Sequence, residues 1–172
     1  HLVVTMEGEQ KVFIDFGSGP NTNELMRYTN GGYYTISVNK NRYQLFKSHG
    51  SDKDINYFKQ SINEFFFFDF SNLNNRCSNY KADAWHCGAV MEHVEPKKIN
   101  GFLQNILNHS KEEFEGTLNV DLTDHKNGFD HYEHPEKYRH YIKNTLKRDE
   151  WYEKIKEFFQ ITAYSERFKF RD

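Results

Sequence analysis

The sequence predicts an α+β domain, with an N-terminal antiparallel or mixed β-sheet followed by a mainly helical C-terminal half. Three observations lead there. Short runs rich in β-branched and aromatic residues, separated by Gly, Asn and Ser, fill the first half, whereas apolar residues recur with helical spacing in the second. The chain has 172 residues, enough for one domain with a single core. Aromatic residues make up 17% of it, with 16 Phe and 11 Tyr against a hydrophobic fraction of 37%, so burial must rest on large rings rather than on many aliphatic side chains.

In chain order, Leu2–Met6, Lys11–Phe16, Tyr33–Val38 and Arg42–Phe46 are strand-like runs, punctuated by the turns Gly17-Ser18-Gly19-Pro20 and Asn30-Gly31-Gly32. Antiparallel hairpins are the expected pairing. Ile55–Ser61 suits helix or strand, and Glu64–Phe70 reads as a further strand. Lys97–His109 places Ile99, Leu103, Ile106 and Leu107 on one helical face. Residues 110–135 are polar, hold a short strand candidate at Thr117–Leu122, and read as an insertion or loop within a single domain spanning 1–172. Pro135 can open a helix carrying Tyr138, Tyr141, Ile142 and Leu146. A last helix from about Asp149 puts Trp151, Ile155, Phe158, Phe159, Thr162 and Phe170 on one stripe, and Glu166 and Lys169 project into it. Charges on an apolar stripe mark either a structural ion pair or a site that uses a shifted pKa.

The formal net charge of −2 and a pI near 6.5 exclude a global basic field of the kind that coats nucleic acid. Ser165–Arg171 is the best local basic run with interleaved rings, although it reads somewhat better as an amphipathic helix end whose cations complement the dipole. Cys77 and Cys87 could close one small loop or remain free thiols. No apolar run approaches a membrane span; Phe65–Phe68 is four rings in a short segment. A chain beginning at His1 suits a processed, secreted protein or a cloning remnant.

Tyr164-Ser165-Glu166-Arg167-Phe168-Lys169-Phe170 resembles the active-site helix of ribosome-inactivating proteins, the rRNA N-glycosidases, whose motif reads Ser-Glu-Ala-Ala-Arg-Phe. In that register Glu166 matches the family's glutamate and Lys169 stands where it has arginine. A second register, with Arg167-Phe168 on the family's Arg-Phe, would put Tyr164 at the glutamate position. Asn41-Arg42-Tyr43 and Ser78-Asn79-Tyr80, the latter running on to Gly88, Glu92, Glu95 and Asn100-Gly101-Phe102-Leu103, look like the family's two tyrosine segments. The resemblance implies a toxin that removes an adenine from the large ribosomal RNA and inhibits translation, without metal or organic cofactor; a monomer is expected, with a secreted location favoured by the His1 start and a cytoplasmic one left open. Tyr43 and Tyr80 would stack on the base. Glu166 would stabilise the cationic sugar, and Lys169, with Arg167 in reserve, would assist departure of adenine.

Other readings stay open. A metal-independent ribonuclease toxin would need a Glu–His pair, for which Glu7, Glu9, His49, His134 and His140 are available, and no spacing selects among them. A small immunity-type binding domain would use rings such as Phe65–Phe68 and Tyr132–Tyr141 as its surface. His125, His131, His134 and His140, set among Asp124, Asp130 and Glu133, carry ligand types that zinc accepts, but the spacing matches a solvated loop better. His86, between Trp85 and Cys87, is an isolated imidazole.

Overall fold

The computed structural model describes residues 8–18, 23–40, 62–74, 76–77, 79–121 and 146–165. Their centre is a five-stranded sheet formed by β1 (Val12–Phe16), β2 (Tyr34–Asn39), β3 (Glu64–Phe67), β4 (Ala82–Gly88) and β5 (Ser110–Asn119), in the order β3-β2-β1-β4-β5. Every pairing is parallel, with Ile14 of β1 registered on Ile36 of β2 and on Trp85 of β4. The helices are α1 (Asn23–Asn30), α2 (Ile99–Asn108) and α3 (Arg148–Lys156).

This corrects the expected antiparallel sheet followed by a helical half, and the physical cause lies in the turns. Gly17 does not fold β1 back on a neighbour. It leads towards α1, and the Asn30-Gly31-Gly32 segment ends that helix rather than closing a hairpin. Tyr33 N–H donates to the Tyr28 carbonyl at 3.0 Å and Gly32 N–H to the Thr29 carbonyl at 3.0 Å, with Gly32 at φ +83°; this is a Schellman stop, in which a left-handed residue turns the chain out of the helix. A strand, a helix and a returning strand make a parallel pair. Central strands of such a sheet are buried on both faces, so β1 and β2 show runs of consecutive buried residues instead of alternation.

The two faces hold separate apolar clusters. On the α1 face Phe13, Leu25, Ile62 and Ala84 pack with Tyr28, Tyr33 and Phe65, and the rings of Phe13 and Tyr28 stack at 3.8 Å. The larger cluster, on the opposite face, joins Ile14, Phe16, Ile36, Trp85 and Cys87 to Phe102, Leu103 and Ile106 of α2, to Phe70, and to Trp151 of α3. Each ring or aliphatic side chain taken fully out of water there contributes roughly 1.5–3 kcal/mol. His109 fastens the end of α2 to the connection ahead of β4: its Nδ1–H donates to the Asn105 carbonyl at 2.8 Å and its Nε2 accepts from Cys77 N–H at 3.0 Å. Burial, with the charges of Lys81 and Arg76, holds its pKa below the ordinary histidine value, in keeping with that neutral tautomer.

Two further expectations change. Residues Ser110–Asn119, inside the stretch read as an insertion, form β5 and pair with β4, whose own run Ala82–Gly88 carries Asp83 and His86 and was not anticipated as a strand. The last helix stops at Lys156, because Phe158 and Phe159 turn into the core, where the Phe159 ring lies 5.4 Å from Trp85 and 6.0 Å from Phe114. Thr162–Ser165 have no regular structure, so the helical stripe drawn from Asp149 to Phe170 does not continue. The Leu2–Met6, Arg42–Phe46 and Pro135 segments and the His125–His140 cluster lie outside the described residues. Cys77 and Cys87 are buried free thiols. No helix among the described residues is long and apolar enough to cross a membrane.

The β4–β5 ladder is regular from Ala84–Glu115 to Gly88–Asn119 but is bulged between Ala82 and Ala84, where β5 carries the extra residues. Beyond the bulge Trp85 lies across Gly116: a Cβ on that glycine would stand 2.1 Å from the indole. Gly116→Val should therefore lower unfolding stability by about 1–3 kcal/mol, the usual cost of overpacking a fixed ring. A urea midpoint equal to that of the unaltered protein would show that the indole is free to move aside.

Candidate active site at the strand-order reversal

Strand order reverses between β1 and β4, since β2 lies on one side of β1 and β4 on the other. The chains leaving these two strands diverge to opposite faces, and the crevice left between them, outside the carboxyl ends of the strands, is where open parallel sheets take their ligands. The residues gathered at those ends are Asp15 of β1 with Gly17 and Ser18 after it, Ser37 and Asn39 of β2, and His86 and Gly88 of β4 with the segment to Glu92 after it.

The two loops touch. Gly17 has φ +84°, and a Cβ there would stand 2.4 Å from Val90, so only glycine lets the β1 turn press against the β4 loop. Its N–H donates to the Val38 carbonyl at 2.6 Å. Ala89, leaving β4, has φ +53°, a left-handed conformation that costs a residue with a Cβ about 1 kcal/mol or more. Backbone strain is thus held beside the crevice, pinned by Ala89 N–H donating to the Asn119 carbonyl at 2.9 Å.

Polar side chains form a buried row on the α1 face. The hydroxyls of Ser18 and Ser37 are 2.8 Å apart, and Asn39 Nδ2–H donates to Ser37 Oγ at 2.7 Å. Asp15, 2% exposed, holds Oδ1 3.0 Å from His86 Nδ1. Burial works against a charged imidazole at His86, but the hydrogen bond and charge of Asp15, with Glu24 adding, outweigh it and raise the pKa. Across the sheet Glu92 is 2% exposed; no donor closes a short hydrogen bond to either carboxyl oxygen, although the His93 imidazole stands 3.8 Å from Oε1 and the backbone N–H groups of Glu92 and Asp121 act on the carboxyl. Burial, reinforced by the charge of Asp121, pushes it up to about 7. Cys87, fully enclosed in the same region, is a thiol whose pKa burial drives upward, which removes it as a nucleophile.

Of the residues proposed from sequence, Tyr43, Glu166, Arg167 and Lys169 lie outside the described residues. Tyr80 is placed ahead of β4, half-buried, stacked on Tyr34 at 5.3 Å with the two hydroxyls 3.1 Å apart. Glu9 is exposed at the start of the sheet. Among the described residues no three His, Cys, Asp or Glu side chains are grouped to hold a metal ion. The residues that line the crevice were passed over because Gly17-Ser18-Gly19 was read as a turn and His86 as isolated. The available signal is a Gly-x-Gly run directly after an apolar strand whose penultimate residue is an acid.

No family model and no curated protein matches the chain. Among solved structures it is similar to an S-adenosylmethionine-dependent methyltransferase from Clostridium acetobutylicum, with a TM-score of 0.52 and 18% identity over 69% of this chain and 45% of that one. It is also similar to a structure described as showing the conversion of a disulfide bond into a thioacetal group during echinomycin biosynthesis, with a TM-score of 0.59 and 11% identity over 90% of this chain and 64% of that one. The chain therefore spans less than two thirds of either structure. At such identities the likeness establishes the fold, a doubly wound Rossmann-like sheet. It overturns the resemblance to ribosome-inactivating proteins, because an all-parallel sheet replaces the antiparallel or mixed sheet that the resemblance had implied. The rRNA N-glycosidase toxin, its ribonuclease and immunity-domain alternatives, the hydrolase assignment and the ribosomal partner fall with it.

Glu92 gives the site a distinctive pH dependence. In the unfolded chain its carboxyl titrates near 4.5 and in the fold near 7, so the stability drawn from the protonated form is full below about 4.5 and is lost as pH rises through about 7. Glu92→Gln, which keeps the shape without the charge, should match the unaltered protein at acid pH and exceed its stability above pH 7 by on the order of 3 kcal/mol. Superimposable denaturation curves at pH 8 would mean that the carboxyl carries no such burden.

Proposed function

We propose that the crevice binds S-adenosylmethionine and that this chain carries the cofactor-binding core of a methyltransferase. The observation that carries the proposal is the reversal of strand order at β1 and β4 with a glycine turn wedged against the β4 loop. The named activity of the Clostridium acetobutylicum structure supports the choice of cofactor.

The residues present fit that molecule. Asn39 ends β2, in the position from which Rossmann-like sheets reach a ribose; its Nδ2 is used by Ser37, which leaves the carboxamide oxygen to accept from a ribose hydroxyl. Glu92 is a buried carboxyl with no short hydrogen bond to either oxygen and the His93 imidazole 3.8 Å away, and such a group favours a further cation or donor. S-adenosylmethionine offers an ammonium and a sulfonium. When bound, it supplies a methyl group made electrophilic by positively charged sulfur. The chain's own part is to present Ser18 and Asn39 as polar anchors, to close Gly17 and Val90 over the base of the crevice, and to hold negative charge at Glu92 once a cation is near. A positive ligand would lower the raised pKa of Glu92, so binding should strengthen as the carboxyl ionises.

Calorimetric titration with S-adenosylmethionine should show saturable binding, and Asn39→Leu should weaken it about tenfold, the worth of one buried hydrogen bond. Binding of NAD in its place, or no heat with either, would reject the assignment.

A further inference from the structure

We infer that Asp15 and His86 form an acid–base dyad in the floor of this crevice, in which His86 accepts the proton that the methyl acceptor gives up and Asp15 positions the imidazole. The inference rests on the methyltransferase reading and adds to it a requirement on the acceptor: a nucleophile that bears a proton, such as a thiol, phenol or amine.

Four features support it. The dyad bridges β1 and β4, the two strands that flank the reversal of strand order. Asp15 binds Nδ1 at 3.0 Å, which fixes the ring's tautomer and orientation as carboxylates do in catalytic triads. The ring then runs along β4 towards its carboxyl end: a Cβ on Gly88 would stand 2.5 Å from His86 Cε1 and 2.8 Å from Nε2, so the imidazole occupies the space that any side chain at 88 would take. Finally, no described residue hydrogen-bonds Nε2, and the side chain keeps 19% of its surface exposed, whereas Asp15 keeps 3%. A purely structural ion pair would need neither a glycine cleared for the ring nor an unengaged nitrogen at the mouth.

The charged groups that act on the ring are Asp15 from β1 and Glu24 from α1, and both favour the imidazolium once it forms. Thr117 of β5, uncharged, is registered beside His86. In the step assigned to the dyad, the acceptor's electron pair forms the bond to the methyl carbon and the carbon–sulfur pair stays with sulfur. The acceptor's proton passes to Nε2. One positive charge is lost at sulfur and one appears on the imidazole beside Asp15, so charge is conserved.

The test is nitrogen-detected NMR titration of the His86 ring in the free protein, with S-adenosylmethionine, and with the uncharged thioether S-adenosylhomocysteine. The sulfonium ligand should lower the His86 pKa by roughly one pH unit relative to the thioether, because a like charge nearby opposes imidazolium formation. Gly88→Ala, which displaces the ring while leaving both dyad residues in place, should abolish that difference; Asp15→Asn, which leaves the burial of the ring unopposed, should drop the pKa below the ordinary histidine value. If both ligands bind and move other crevice resonances while His86 responds identically to each, the dyad is refuted and cofactor binding stands. If neither ligand binds, the methyltransferase reading fails and takes the dyad with it.

Discussion

Everything in this molecule is built around the pairing of β1 between β2 and β4. A strand flanked on both edges by parallel partners has all its backbone groups engaged, and crossovers to opposite sides must cover both its faces. The residues of β1 obey that demand. Phe13 supplies the α1 face, Ile14 and Phe16 supply the opposite one, and each is fully buried. Asp15 breaks the apolar run at the one position where its side chain reaches another strand's histidine. The departure from hydrophobic character is local, and it falls where the two loops part.

Burial at the carboxyl ends of the strands is consequently of an unusual kind. Ser18, Ser37, Asn39, Asp15 and Glu92 are all withdrawn from water, although apolar side chains would pack there at lower cost. The serines and the asparagine satisfy one another, and Asp15 is matched by His86. Glu92 has the His93 imidazole 3.8 Å from Oε1 and the backbone N–H groups of Glu92 and Asp121 acting on its carboxyl, but burial outweighs them and costs stability once the carboxyl ionises. Strain at Ala89 points the same way. Stability is sacrificed beside the crevice while the core cluster beneath remains aromatic and dense.

How much of this was legible depended on whether local pattern and tertiary context agreed. The apolar face of α2 was legible: Ile99, Leu103 and Ile106 recur with helical spacing and are fully buried. β1, β2 and β3 lie within runs that their composition marks as strands. Their direction was not legible, because a glycine turn looks alike whether it closes a hairpin or opens a crossover; the helix that distinguishes them, Asn23–Asn30, is short and mostly polar, and fully buries Leu25 alone. β4 was hidden for a different reason: Asp83 and His86 interrupt it, and both are spent on partners in other elements, Asp83 on Val12 N–H at 2.8 Å and His86 on Asp15. The chain's end misleads because helical periodicity runs on through Phe158 and Phe159, whereas the Phe159 ring is held by Trp85 and Phe114 and the Phe158 ring packs on Phe159, rather than on a continuing helix.

The bulge in the β4–β5 ladder has a consequence for how the sheet can vary. The irregular pairing is confined to the amino-terminal end, near Ala82 and Ser110, while the rungs from Ala84 to Gly88 keep strict register with Glu115 to Asn119. Slack in chain length is thereby absorbed at the rim farthest from the crevice. Residues gained or lost around Lys111–Phe114 need not propagate to His86 and Gly88, so one end of the sheet can drift in evolution while the other stays tuned.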